Sequence, residues 1–89
     1  MHFTSYLEEG RLTIALTGEI DHHSAKALRE EIDRAIFYHR PKTLVLSLSE
    51  VSFMDSSGLG LILGRLTRIQ ELGGKLVIAD PNLRVMKIL

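Results

Sequence analysis

The segment Ser52-Phe53-Met54-Asp55-Ser56-Ser57-Gly58-Leu59-Gly60 carries the densest reactive chemistry in the chain, a carboxylate beside two hydroxyls and then glycines. Asp, Ser and Gly all favour helix N-termini, so capping alone accounts for Asp55 or Ser56. Capping does not account for Gly60 and Gly64, which fall inside the apolar-periodic helix that follows. Each glycine there costs ~1 kcal/mol relative to alanine. On an exposed side, small residues let a ligand or another backbone approach closely; on a buried side they only admit a neighbouring strand. The sequence leaves both open.

Three enzyme-like readings of these residues lack support. Gly58-x-Gly60-x-x-x-Gly64 follows a strand, opens a helix and precedes a strand ending at Asp80, as in a dinucleotide cradle. Its spacing is one residue longer than G-x-G-x-x-G, and about nine residues separate Leu48 from Gly58. The dinucleotide fingerprint turns directly from strand to helix. A serine hydrolase would use Ser56 or Ser57 with His22, His23 or His39 as base, but there is no G-x-S-x-G elbow. Asp55 also adjoins the serine instead of orienting a histidine. His22 and His23, being adjacent, point apart, and no third metal ligand follows at helical spacing. The chain is therefore expected not to be an enzyme and to hold no cofactor or metal of its own.

What remains for a serine at a helix start is to accept a phosphate, which the free N–H groups and the positive end of the helix dipole would partly stabilise. A modified Ser56 would gain ~1.5 to 2 negative charges at pH 7. That charge would lie next to Asp55, and near Asp21 if the two loops meet at one sheet edge. Such a change switches a partner on or off without altering the fold.

These residues must be positioned by a small number of elements. His2 to Leu7 and Arg11 to Thr17 flank Glu8-Glu9-Gly10, and Leu12, Ile14 and Leu16 alternate with Thr13, Ala15 and Thr17, a β-hairpin pattern. Asp21 or Ser24 caps a helix with the apolar face Ala25, Leu28, Ile32, Ala35 and Ile36, which Pro41 stops. Thr43 to Leu48 alternates little and is expected to be a central strand buried on both faces. A second helix runs from about Ser57 to Leu72 with Leu59, Ile62, Leu63, Leu66 and Ile69 at 3-and-4 spacing, ending at Gly73-Gly74. Lys75 to Ala79 is another strand of buried type, and Asp80-Pro81-Asn82 turns into a helical Leu83 to Leu89. The order β-β-α-β-α-β-α, with right-handed crossovers between parallel strands, predicts an α/β fold, a mixed sheet with helices packed on it.

Composition sets the frame. Eighty-nine residues make a single domain spanning 1–89, 45% hydrophobic and 25% charged. Eleven basic residues balance eleven acidic ones, which argues against a nucleic-acid partner. There is no cysteine, so disulfides and thiol chemistry are excluded. No apolar stretch approaches the ~20 residues of a membrane span and MHFTSYLEEG does not start like a signal peptide, so a cytoplasmic location without membrane partners is expected.

Leu16-Thr17-Gly18-Glu19-Ile20-Asp21-His22-His23, together with Phe53 to Gly60 and Ile62-Leu63-Gly64-Arg65, resembles the STAS domain family in its branch of anti-sigma F factor antagonists from sporulating bacteria. The resemblance runs from the hairpin to Leu89. It implies a switch protein whose unphosphorylated form binds an anti-sigma factor that is also a serine kinase, releasing a sporulation sigma factor. By the same likeness Ser56 is phosphorylated, which ends binding, and a serine phosphatase restores it; Ser57 is not the acceptor. ATP and Mg²⁺ belong to the partner kinase. The partner-binding surface implied is Asp21, His22 and Ser24 with Asp55, Ser56, Ser57, Gly58 and Gly60. A STAS module of a general stress pathway is the alternative, and a small nucleotide-binding protein using Gly58, Gly60 and Gly64 is the weaker one. Family members continue with a further strand and helix, so Val85, Met86, Ile88 and Leu89 are expected to be exposed where this chain stops.

Overall fold

A computed structural model describes residues 2–89. Strands β1 (His2–Glu8) and β2 (Arg11–Ile20) form the expected hairpin, joined at Glu9 and Gly10, which both adopt positive φ of 50° and 78°. Two successive left-handed residues make the tight turn that suits the twist of the flanking strands, and glycine takes the second position without strain. Helix α1 (His22–His39) follows, then β3 (Thr43–Met54), α2 (Ser56–Glu71), β4 (Lys75–Ala79) and α3 (Leu83–Ile88). The sheet order is β1-β2-β3-β4; β1 and β2 are antiparallel, and β2-β3 and β3-β4 are parallel. The predicted α/β architecture is therefore the observed one.

Leu12 pairs with Leu44 and Ile14 with Leu46, so the buried rows of β2 and β3 lie on one face of the sheet. Leu28, Ile32 and Ile36 from α1 and Leu61, Ile62 and Ile69 from α2 complete one core with them. Helices cover only that face. Consequently β3 is not buried on both sides as expected: Leu44, Leu46 and Leu48 are buried, whereas Thr43, Val45 and Ser47 between them are half-exposed. The β-branched and small residues on the open face hid the alternation. For the same reason β4 is not a buried strand; it is the sheet's edge, with Val77 exposed and only Leu76 and Ile78 turned toward the core.

The ends of β2 and β3, the connection to α2 and the burial of Val85 also differ from expectation. β2 continues through Gly18 and Glu19 to Ile20, and β3 continues past Leu48 to Met54, with register shifts between Ala15 and Thr17 and between Gly18 and Glu19. These irregularities bend the strand pair and interrupt its period, which is why the extension was not legible. The nine residues that separate Leu48 from Gly58 are not a long connection: β3 runs to Met54 and turns into α2 through Asp55 alone. Lastly Val85, expected to be exposed, is fully buried in the core, because Asn82 donates to the Val51 carbonyl at 2.9 Å and caps α3 through the Val85 N–H at 2.8 Å. Met86, Ile88 and Leu89 are exposed as expected.

Candidate functional site at two adjacent helix starts

Ile20 and Met54, the last residues of β2 and β3, are register partners, and the Asp55 N–H donates to the Ile20 carbonyl at 3.2 Å. Asp21 and Asp55 follow these partners directly, so α1 and α2 start side by side at the carboxyl ends of parallel strands. Ligands of open parallel sheets bind at this kind of edge. The loops carrying Asp21 and Asp55 thus meet at one end of the sheet, the condition for Asp21 to lie on the same side as Ser56.

Asp21 is the N-cap of α1. Its Oδ1 accepts from the His23 N–H at 2.9 Å and the Ser24 N–H at 3.0 Å, while Ser24 Oγ accepts from the Asp21 N–H at 3.0 Å. This reciprocal pair is a capping box in which serine takes the place usual for Glu or Gln. The hydrogen bond from the Ser24 backbone, with help from Ser24 Oγ and His23, holds the Asp21 carboxyl below its ordinary pKa. Ser24 Oγ also reaches the Glu19 carbonyl at 3.2 Å, which ties the helix start to the end of β2. Ser24 is thus a positioning residue, and the exposed rings of His22 and His23 stand edge-on with centroids 6.0 Å apart.

Asp55 caps α2 more simply. Its Oδ1 accepts from the Ser57 N–H at 2.8 Å, and its carbonyl accepts from Gly58 at 3.0 Å and Leu59 at 3.3 Å. α2 therefore starts at Ser56, one residue earlier than expected. Ser56 is exposed and Ser57 half-buried. Of the N–H groups that were expected to receive a phosphate, those of Ser57, Gly58 and Leu59 already bond Asp55. A phosphate on Ser56 would keep the dipole's attraction but would stand outward, beside a carboxylate.

The glycines of α2 divide into two kinds. Gly58, expected on the partner surface, is buried; a Cβ there would overlap Met54 Cγ and come within 3.2 Å of Ile20 Cγ2. It is glycine because α2 starts hard against the ends of β2 and β3. A Cβ on Gly60 or Gly64 would meet nothing within 4 Å, so the question the sequence left open falls to the exposed side. Gly58 therefore faces inward and Gly60 and Gly64 outward, so the three do not share one face of α2.

The buried stripe of α2 is Gly58, Leu61, Ile62, Arg65 and Ile69; of the predicted face Ile62 and Ile69 hold, Leu59 and Leu66 are half-buried, and Leu63 is exposed. Arg65 is the residue that hydropathy could not place. It is 7% exposed, and its Nε lies 3.0 Å from Asp33 Oδ1 of α1 at an angle that makes an ion pair but no hydrogen bond. Burial lowers the Arg65 pKa, Asp33 opposes that shift, and Arg29 and Arg68 add to it. The signal in the sequence was spacing alone, since position 65 completes the 58-61-62-65-69 pattern.

A family model described as the STAS domain matches residues 4–89. This chain belongs to the STAS domain family. The STAS chain is 44% identical over 80 residues to an anti-sigma F factor antagonist of Paenibacillus polymyxa, an alignment covering 90% of this chain and 68% of that relative. It is 36% identical to an anti-sigma F factor antagonist of Lysinibacillus sphaericus, covering 99% of this chain and 76% of the relative. An anti-sigma-B factor antagonist of Bacillus subtilis (strain 168) is 31% identical, with 90% and 72% covered. Among solved structures, the anti-sigma factor antagonist SpoIIAA in its unphosphorylated form superposes with a TM-score of 0.85 at 34% identity, covering 98% of this chain and 76% of that one. The phosphorylated form of Bacillus SpoIIAA gives 0.79 at 33% identity, with 98% and 79% covered. The STAS resemblance and the mixed-sheet fold read from the sequence both hold. No helix of the described residues is long and apolar enough to cross a membrane.

Proposed function

We propose that this protein is an anti-sigma factor antagonist of the sporulation branch, a binding module that acts in the cytoplasm and is not an enzyme. Its unphosphorylated form binds an anti-sigma factor that is also a serine kinase, and the bound sigma factor is released. The observation that carries this reading is the exposed Ser56 in the first turn of α2, next to Asp55 and on the same sheet edge as Asp21. Greater identity to the two anti-sigma F antagonists, 44% and 36%, than to the anti-sigma-B antagonist, 31%, supports the sporulation branch over a general stress pathway.

The switch follows from charge. Ser56 Oγ attacks the γ-phosphorus of the partner's ATP, its proton passes to a base of the kinase, and ADP leaves with Mg²⁺. The product carries ~1.5 to 2 more negative charges at pH 7. On the side of the two helix caps, where Asp55 is bonded to the Ser57 N–H and Asp21 lies at the same end of the sheet, the added phosphate finds like charge and no free N–H of Ser57 or Gly58. The phosphate is pushed away from Asp55 and Asp21 and its bulk disturbs the surface that meets the partner, so binding ends, and a serine phosphatase restores it by hydrolysing the phosphoserine.

The test is incubation with an anti-sigma F factor and Mg·ATP, followed by mass spectrometry of the chain. One phosphate is expected on Ser56, none on Ser56→Ala, and an unchanged yield on Ser57→Ala. Labelling of Ser56→Ala would reject the site. Undiminished affinity of Ser56→Asp for the anti-sigma factor would reject charge repulsion as the mechanism.

A further inference from the structure

The open side of α2 faces a groove of ≈ 330 Å³ against α1, lined by His22, Lys26, Arg29, Gly60, Gly64 and Arg65 among others. No acidic side chain lines it. Among the described residues the only ion pair is Arg65 with Asp33, so Lys26 and Arg29 have no carboxylate partner. Arg65 is 93% removed from solvent by its 7% exposure, and its Nη1 has no hydrogen-bond partner. One carboxylate therefore serves a site with three strong cations, in a protein whose net charge is zero. A Cβ on Gly60 or Gly64 would meet nothing within 4 Å, so the α2 wall of the groove has room for an entering backbone.

Ser57 also lines the groove, which makes it continuous with the Ser56 surface. Ser56 thus sits between an anionic side, Asp21 and Asp55, and a cationic groove. Such a dipolar surface fixes the orientation of a partner more than its affinity. Resting on the function proposed above, we infer that the α1–α2 groove is a docking slot for an Asp or Glu side chain of the same anti-sigma factor, seated on Lys26, Arg29 and Arg65 with its backbone against Gly60 and Gly64. The slot orients the kinase so that Ser56 is presented to it.

Calorimetric titration of the full chain with the anti-sigma F factor of Paenibacillus polymyxa tests this, using Lys26→Glu/Arg29→Glu, Gly64→Leu and the remote control Lys42→Glu. Lys26, Arg29 and Lys42 are exposed, so their reversal leaves the core intact, which a melting curve verifies. The double reversal is expected to weaken binding about tenfold or more at low salt, with a smaller loss at high salt. Gly64→Leu is expected to weaken binding at either salt concentration by filling the groove, and Lys42→Glu to leave it within about twofold. If the unaltered chain binds and neither groove variant weakens, the slot is refuted while the Ser56 reading stands. If the unaltered chain does not bind, both fall. Saturable submillimolar binding of inorganic phosphate by the chain alone, lost in the double reversal, would assign the groove to a small anion and overturn the acidic side chain as its occupant.

Discussion

Alanine substitutions at the three glycines of α2 are predicted to have opposite signs, although helix propensity favours all three. Gly60 and Gly64 are flanked by open space, so alanine there gains helix propensity and reduces unfolded-state freedom without a contact. Each substitution should raise stability by ~0.5 to 1 kcal/mol. At Gly58 the new methyl overlaps Met54 Cγ and crowds Ile20, both almost fully buried. The overlap lies close to the Met54 backbone, so the flexible end of that side chain cannot relieve it without displacing core neighbours. Overpacking of this sort costs ~1 to 3 kcal/mol, and the propensity gain at the third helical residue is only a part of the interior value. The net expectation for Gly58→Ala is a loss of ~1 to 2 kcal/mol. In a domain of this size each kcal/mol moves the midpoint by ~4 to 8 °C, so Gly58→Ala and Gly60→Ala should melt clearly apart. Urea titration at fixed pH gives the free energies, with equal slopes showing that the denatured state is unchanged. If Gly58→Ala were as stable as the parent, the close approach of α2 to the strand ends would be wrong. Destabilisation by Gly60→Ala would mean that its side of the helix is not open.

Two further predictions concern the groups that hold the helix starts and the helix pair. Because the Asp21 pKa is lowered in the folded state, the unfolded chain binds more protons as pH falls; the contribution is full above the unfolded value, ~3.9, and is lost as pH drops through the folded one. Asp21→Asn should therefore flatten the acid limb of stability against pH, and an acid limb identical to the parent's would reject the capping box as its source. Asp33→Ala leaves the Arg65 guanidinium without its partner beside Arg29 and Arg68, at a cost of ~2 to 3 kcal/mol, below the 3 to 5 of fully buried pairs because Asp33 is 30% exposed. Arg65→Met/Asp33→Ala should recover most of that loss in thermal melts, and a double variant no better than the single would show that uncompensated charge is not the cause.

Residue types and spacing by themselves determined the order of elements, two candidates for each of the first two helix caps, the hairpin turn, the STAS resemblance and Ser56 as the residue to watch. These are local properties: a carboxylate three residues from an orphan N–H, a glycine at a left-handed turn, an apolar period of two or of 3.6. Tertiary structure decided what depends on a neighbour distant in the chain. Strands β2 and β3 run to Ile20 and Met54 because they pair with each other through register shifts, a partnership that neither segment's period reveals. Asp21 and Asp55, 34 positions apart in the chain, lie at one end of the sheet for that reason alone. Arg65 enters the buried stripe because Asp33 waits on α1, and the same crossing leaves Lys26 and Arg29 facing the glycines of α2. Hydropathy ranks a residue by its own affinity for water, so an arginine that a partner helix neutralises, and a glycine whose value is the room beside it, become legible only when both helices are in place.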